Sequence, residues 1–163
     1  MNKLIIGIVS VLVLGAIVWF ARPGAKNTDA PPTATGPSIL TTTETNFDFG
    51  TISMANGKVS HLFTVTNTGT EPITINKLYT SCMCTIASIM NGAEKLGPFG
   101  MPGHTGIPAI KVPLAPGATT QVEAVFDPAA HGPAGVGTIS RVVILENSAG
   151  KHLEIGFTAN VTP

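Results

Sequence analysis

The sequence predicts an all-β fold, and three observations support this prediction. Apolar and polar residues alternate along several short segments, as they do where one face of a strand is buried. Turn-forming residues are frequent, with 18 glycines and 13 prolines in 163 residues. After residue 21, no segment has the apolar spacing of an amphipathic helix. We therefore predict an antiparallel, immunoglobulin-like β-sandwich of about seven strands over residues 39–163.

The predicted strands follow one another between turn signals. In each of three strands, every second residue is apolar or aromatic and should face the core. These residues are Val59, His61, Phe63 and Val65 in the first strand, Val122, Ala124 and Phe126 in the second, and Leu153, Ile155, Phe157, Ala159 and Val161 in the last. Residues 138–147 are apolar in both phases, which predicts a central strand covered on both faces.

The N-terminal segment predicts one transmembrane helix that anchors the domain. Residues 4–21 contain no charged side chain. Eighteen helical residues would span about 27 Å, enough to cross the hydrocarbon core of a bilayer. A cleaved signal peptide is the alternative, but Trp19 stands where the small-x-small cleavage pattern needs a small residue before Ala21. We assign residues 1–21 to the anchor and the Pro/Gly/Thr-rich residues 22–38 to a tether.

The charge content limits the classes of partner. Charged residues make up 11% of the chain and the formal net charge is zero, so there is no basic surface typical of nucleic-acid binding. Lys3 precedes the uncharged stretch 4–21, whereas Arg22 and Lys26 follow it. The positive-inside rule therefore leaves the orientation of the anchor nearly undecided.

A Gly/Pro-rich segment interrupts the regular alternation. Residues 90–113 contain four glycines spaced by three residues, at Gly97, Gly100, Gly103 and Gly106. The run is too short for a collagen helix. We predict a long surface loop inserted between two strands.

Cys82 and Cys84 are the only cysteines of the chain. In an extended strand both side chains would leave the same face, with α-carbons about 6.6 Å apart. The pair is then either two parallel thiols or, if the strand bends, a disulfide within a small ring.

Three interpretations of the cysteine pair stay open: a structural pair, a thiol–disulfide pair, or a site for a soft ion such as Cu(I). A Cu(I) site would need a further soft or imidazole ligand. Met101 and His104, on the Gly/Pro-rich loop, are the preferred third ligands. The full set of candidates is Met83, Met90, Met101, His104 and His131.

Structural roles are predicted for three of the four histidines, including His131. His61 shares the phase of Val59 and Phe63, which predicts a half-buried side chain hydrogen-bonded to a neighbour. His131, in the turn after Asp127, and His152, on the outer face of the last strand, are both predicted to face solvent.

Five short motifs resemble a known family. They are Phe47-Asp48-Phe49-Gly50, Asn67-Thr68-Gly69, Ser81-Cys82-Met83-Cys84-Thr85, Pro116-Gly117 and Val125-Phe126-Asp127-Pro128. Together they resemble the bacterial envelope family known as domain of unknown function 1573, whose members are similar to the immunoglobulin-like modules of hydin and major sperm protein. The resemblance implies a β-sandwich and export to the envelope; it implies no reaction.

No motif typical of an enzyme is present: there is no nucleophile elbow, no P-loop and no His-Glu-x-x-His sequence. We therefore predict a non-catalytic β-sandwich without a cofactor, which binds an envelope protein partner. It would be a single-pass protein of the bacterial inner membrane, inserted through residues 4–21, with its C-terminal domain on the periplasmic side. The alternatives are Cu(I) binding by Cys82 and Cys84, and a thiol–disulfide role.

Overall fold

The computed structural model describes residues 39–103 and 106–163. These residues form ten strands and two short 3₁₀ helices, Met54–Asn56 and Gly132–Gly135. The strands are β1 (Leu40–Thr42), β2 (Asn46–Ser53), β3 (Val59–Asn67), β4 (Ile73–Thr80), β5 (Thr85–Asn91), β6 (Glu94–Phe99), β7 (Val112–Leu114), β8 (Thr119–Phe126), β9 (Gly137–Asn147) and β10 (Leu153–Thr162).

The strands form two five-stranded sheets, and the prediction of a β-sandwich is confirmed. The first sheet has the order β1-β3-β8-β5-β6 and the second has the order β2-β10-β9-β4-β7. The predicted number of about seven strands was too low, because β1 and β7 have only three residues each and carry little alternation. The prediction of a purely antiparallel fold was also wrong, since β2 pairs with β10 in parallel.

The core lies between the sheets and contains the residues that the alternation predicts. Every core-facing residue predicted on β8 and β10 is buried. On β3, Phe63 and Val65 are buried while His61 is half-buried. Strand β9 lies at the centre of its sheet, as predicted, but only one of its faces is fully buried: Val143 is inaccessible, whereas Val142 is half-buried.

The segment 90–113 is not a loop throughout. Its beginning completes β5, and residues 94–99 form β6, which pairs with β5 through Met90 and Lys95. Gly92, with φ of 63°, adopts the left-handed conformation that a tight hairpin turn requires. This hairpin was not predicted from the sequence, because glycine and proline are typical of loops as well as of tight turns.

The predicted anchor (residues 1–21) and tether (residues 22–38) lie outside the described residues. Within residues 39–103 and 106–163, no helix has the length and apolar character needed to cross a bilayer. The membrane anchor therefore stays a prediction from the sequence.

Candidate functional site

Cys82 and Cys84, the cysteine pair, form a disulfide in the turn between β4 and β5. Their α-carbons are 5.3 Å apart. This distance lies in the usual range for a disulfide and is shorter than that of a fully extended Cys-x-Cys segment. Of the two arrangements left open by the sequence, the structure therefore has the second, in which the chain bends and the pair forms a disulfide. Because β4 and β5 belong to different sheets, the chain must bend as it crosses the sandwich, and the bend brings the two sulfurs together.

Thr80, buried at the end of β4, fixes the backbone of this turn. Its hydroxyl lies 3.0 Å from the carbonyl oxygen of Cys82 and 2.9 Å from that of Thr85. The amide of Thr85 also donates to the carbonyl of Cys82, at 3.1 Å. These bonds satisfy backbone groups that the bend removes from the sheets. The cysteine pair therefore lies on a well-defined part of the backbone.

Strand register explains which residues surround the pair. In the first sheet Thr85 pairs with Phe126, so the residues that follow β8 lie beside Cys84, and the amide of Asp127 donates to the carbonyl of Cys84 at 2.9 Å. In the second sheet Thr80 pairs with Val143, so the segment of β9 before Val143 lies beside the same turn. Two elements distant in sequence thus meet the cysteine pair from two sides.

His131 reaches the pair from the segment between β8 and β9. The Asp127 carboxylate accepts a hydrogen bond from the amide of Ala129 at 3.0 Å, which closes a local turn. The chain then bends into the helix Gly132–Gly135, which His131 precedes. His131 Nε2 lies 3.4 Å from Cys82 Sγ. The side chain is exposed, as predicted, but it also contacts a sulfur, which its sequence neighbours do not indicate.

Arg141 reaches the second sulfur from β9. Its Nε donates to Cys84 Sγ at 3.2 Å, and its Nη1 donates to the carbonyl of Ser140 at 2.8 Å. Arg141 was not predicted from the sequence as a site residue. The available signal was a cation immediately before the apolar run of residues 142–145, but nothing local relates Arg141 to a cysteine 57 positions earlier.

The two sulfurs differ in accessibility. Cys84 is only 2% exposed, whereas Cys82 is partly exposed. Cys84 also donates its backbone amide to Cys82 Sγ, at 3.4 Å. A reagent from solvent therefore meets the sulfur of Cys82 first, and the sulfur of Cys84 lies behind it next to Arg141.

Two apolar side chains are exposed, one between the cysteines and one in a groove lined by the polar partners of the pair. Met83, between the cysteines, is 50% exposed, and Val136 is 46% exposed. Val136 lines an open groove together with His131 and Arg141. Only one other large apolar side chain, Leu62, is exposed to a similar extent in the part of the chain that the structure describes.

Among the described residues, one group of side chains has the composition of a metal site. Its ligand atoms are the two sulfurs of the cysteine pair and an imidazole nitrogen of His131, all within 4.8 Å of one another. Of the predicted third ligands, His104 lies outside the described residues. Met101 follows Gly100, whose carbonyl accepts a hydrogen bond from the amide of Thr80 at 3.2 Å. The role of Met101 as a ligand stays a prediction.

The other candidate residues have different surroundings. Met90 lies near the end of β5 remote from Cys84, where its carbonyl accepts the hydroxyl of Thr120 at 2.7 Å. His152 is exposed, as predicted, and its Nε2 lies 3.0 Å from a carboxylate oxygen of Glu154.

On β4, partial burial and the Glu146 carboxylate raise the pKa of Tyr79 above its ordinary value.

No curated protein sequence matches the chain. Among solved structures, a protein of unknown function from Porphyromonas gingivalis W83 is similar with a TM-score of 0.55 and 15% identity, over 82% of this chain and 51% of that one. This chain thus spans about half the length of that relative. The secreted serine protease VesC from Vibrio cholerae has a TM-score of 0.48 and 18% identity, over 76% of this chain and 24% of the protease.

The ASH/PapD-like domain 7 of human CEP192 has a TM-score of 0.46 and 13% identity, over 78% of this chain and 89% of the domain. At these identities the likeness concerns the fold alone. A family profile described as "Protein of unknown function (DUF1573)" matches residues 40–98, which include the cysteine pair. The resemblance predicted from the sequence motifs is therefore confirmed: residues 40–98 carry the signature of the DUF1573 family, on a β-sandwich.

Proposed function

We propose that the domain is a thiol–disulfide exchange module of the bacterial envelope. The observation that carries the proposal is that each sulfur of the cysteine pair has its own polar partner. His131 Nε2 lies 3.4 Å from Cys82 Sγ, and Arg141 Nε lies 3.2 Å from Cys84 Sγ. A purely structural disulfide needs neither group, whereas a cation next to a sulfur stabilises the thiolate that reduction creates.

The first step follows from the exposure of the two sulfurs. A thiol of a partner loses its proton to His131 and attacks Cys82 Sγ, the accessible sulfur. The bond between the two cysteines breaks, and a mixed disulfide forms between Cys82 and the partner. The electron pair of the broken bond goes to Cys84, which leaves as a thiolate. Arg141 already donates to this sulfur, so the leaving group is stabilised where its charge develops.

The second step returns the partner as a disulfide. A second thiol of the partner releases its proton to solvent, attacks the partner's own sulfur in the mixed disulfide and expels Cys82 as a thiolate. The protonated His131 lies within reach of this sulfur and returns the proton to it. The partner has lost two electrons and the cysteine pair has gained two. The same steps in reverse would reoxidise the pair.

The proposed location agrees with this chemistry. Disulfides persist mainly in compartments outside the cytoplasm. The predicted anchor and tether would hold the domain at the inner membrane with access to periplasmic partners. A short tether of this kind raises the effective concentration of the domain towards membrane-bound partners.

A second candidate function is the binding of an envelope protein without exchange. Met83, exposed between the cysteines, and Val136, exposed in the groove that His131 and Arg141 line, favour contact with another protein at this face. This candidate is the non-catalytic module preferred from the sequence. The two candidates are compatible, because a protein that exchanges disulfides must first dock next to Cys82.

Two single variants of the full chain, kept in detergent, test the exchange function. Cys84→Ser leaves Cys82 as the only thiol, and Cys82→Ser leaves only Cys84. Each variant is mixed with oxidised glutathione, and the mixed disulfide is followed by intact-protein mass spectrometry. We expect Cys82 to react at least about tenfold faster than Cys84, because Cys84 is buried.

The wild-type chain provides the second measurement. In a series of glutathione redox buffers, we expect its disulfide to be reduced at a potential above about −300 mV, the upper range of structural disulfides in secreted proteins. A pair that stays oxidised in every buffer, or two variants that react at equal rates, would contradict the proposal.

A further inference from the structure

We infer that the reduced cysteine pair binds one Cu(I) ion, with His131 as the third ligand. The inference rests on the proposed function only in that the disulfide must be reducible. The disulfide and the metal complex use the same two sulfurs, so the redox state of the pair would determine whether copper is bound.

The ligand geometry is close to that of a three-coordinate site. With metal–sulfur bonds of about 2.3 Å and a metal–nitrogen bond of about 2.0 Å, trigonal ligand atoms lie roughly 3.7 to 4.0 Å apart. The ligand atoms of Cys82, Cys84 and His131 already lie within 4.8 Å of one another. Reduction breaks the sulfur–sulfur bond, so the two sulfurs are free to separate and admit an ion between them.

The type and number of ligands favour Cu(I). Two thiolates and an imidazole form a soft donor set, which selects Cu(I) over hard cations. Structural zinc sites are almost always four-coordinate and closed. Within residues 39–103 and 106–163, the group offers three ligands from Cys, His, Asp and Glu side chains. A low-coordinate monovalent ion fits this set better than a structural zinc ion does.

Arg141 would compensate the negative charge of the copper complex. One Cu(I) with two thiolates carries a net charge of −1, which would be costly to place beside the buried Cys84 without compensation. The Arg141 guanidinium donates to Cys84 Sγ at 3.2 Å and supplies a charge of +1. Arginine cannot act as a ligand, because it stays protonated. Its position therefore stabilises the complex without competing for the ion.

The loop that carries His131 is held next to both sulfurs by the backbone. Asp127 donates its amide to the carbonyl of Cys84, and four residues later His131 contacts Cys82. Gly135 leaves room for the side chain of His131, since a β-carbon at position 135 would lie only 3.2 Å from the β-carbon of His131. The third ligand is thus supplied by a loop that is already attached to the cysteine turn.

The test uses the full chain in detergent, chemically reduced under anaerobic conditions and freed of reductant. Cu(I) is titrated in competition with the chelator bicinchoninate, and X-ray absorption at the copper edge reports the ligand atoms. We expect one Cu(I) per chain, bound by two sulfurs and one nitrogen. His131→Ala should weaken binding at least tenfold and remove the nitrogen, whereas the matched control His152→Ala should bind as the wild type does.

Three results would overturn the inference. They are Cu(I) binding no tighter than that of the double variant Cys82→Ser, Cys84→Ser; binding that His131→Ala leaves unchanged; and displacement of bound Cu(I) by an equimolar amount of Zn(II). Because the pair is reduced chemically, the result is independent of exchange with a partner. Normal mixed-disulfide formation without Cu(I) binding would remove this inference alone, and Cu(I) binding without mixed-disulfide formation would remove the proposed function alone.

Discussion

Two histidines of this domain have opposite surroundings. The half-buried His61, on β3, stacks on the ring of Phe47 with centroids 3.6 Å apart, and its Nε2 lies 2.7 Å from a carboxylate oxygen of Glu44. The exposed His131 lies on a turn, where its Nε2 contacts Cys82 Sγ. His61 is surrounded by groups that stabilise the fold, whereas His131 is next to a reactive sulfur.

The two histidines show that the sequence carries two kinds of information differently. The burial of a residue within a strand follows from nearby residues, whereas its contacts with other segments depend on how distant strands pair. His61 follows the alternation of β3, so its half-buried state can be read from the residues two positions away on either side. His131 is placed by the pairing of β8 with β5, which brings together segments about 40 residues apart. For the first histidine the local pattern is sufficient; for the second it gives only the exposure.

Replacing His131 should produce the largest change in exchange chemistry. We expect His131→Ala to slow the reduction of the disulfide by a dithiol about 100-fold near neutral pH, because a general base contributes at least this factor. The free energy of unfolding should change by no more than about 0.5 kcal/mol, since the side chain is exposed. Stopped-flow reduction kinetics and urea unfolding measure the two quantities.

The control for His131→Ala is His152→Ala, which removes an exposed histidine bonded to Glu154. A rate loss of the same size in both variants would show that His131 has no special relation to Cys82. If the rate of disulfide reduction stays high in His131→Ala at every pH, His131 does not act as the base.

Replacing Arg141 should shift the redox equilibrium about tenfold. Arg141 stabilises the Cys84 thiolate of the reduced state more than the neutral sulfur of the disulfide, by an amount on the order of 1.5 kcal/mol for a hydrogen bond to a charged group. Arg141→Gln should therefore make the pair harder to reduce and lower its potential by about 30 mV. Titration in glutathione buffers measures the shift.

Arg141→Lys keeps the positive charge and provides the matched variant. We expect it to recover part of the potential lost in Arg141→Gln, because a lysine lacks the planar geometry but not the charge. An unchanged potential in Arg141→Gln would mean that the contact with Cys84 is only a packing contact.

Much of the fold was predictable because burial within a strand repeats every second residue. The five core residues of β10 and the three of β8 were identified in this way, and all are buried. Pairing between strands was not predictable, because it depends on residues far apart in sequence. The parallel pairing of β2 with β10 was therefore missed, although each strand forms from an ordinary alternating segment.

The candidate site shows the same limit. Cys82 and Cys84 were identifiable because they are the only cysteines of the chain and are two residues apart. His131 was one of five candidate ligands, and Arg141 was not among them. Both lie next to the pair because Thr85 pairs with Phe126 and Thr80 pairs with Val143. A single sequence contains no signal for either register.

Replacing His61 should have the smallest effect, on stability alone. His61→Ala removes the stacking on Phe47, the edge contact with Phe63 at a centroid distance of 4.7 Å and the bond to Glu44. Stacked rings and a single partly buried hydrogen bond each contribute modestly, so we expect a loss of about 1 kcal/mol in the free energy of unfolding. The rate of disulfide exchange should not change.

The matched variant His61→Phe separates the two contributions to this loss. It keeps an aromatic ring against Phe47 but cannot bond to Glu44, so its loss should be smaller than that of His61→Ala. Urea unfolding at constant salt measures both variants. No described contact joins the ring of His61 to the sulfur of Cys82, so neither variant should slow disulfide exchange. A slower exchange rate in either variant would show that His61, like His131, affects the reactivity of the pair, and would contradict the distinction between the two histidines.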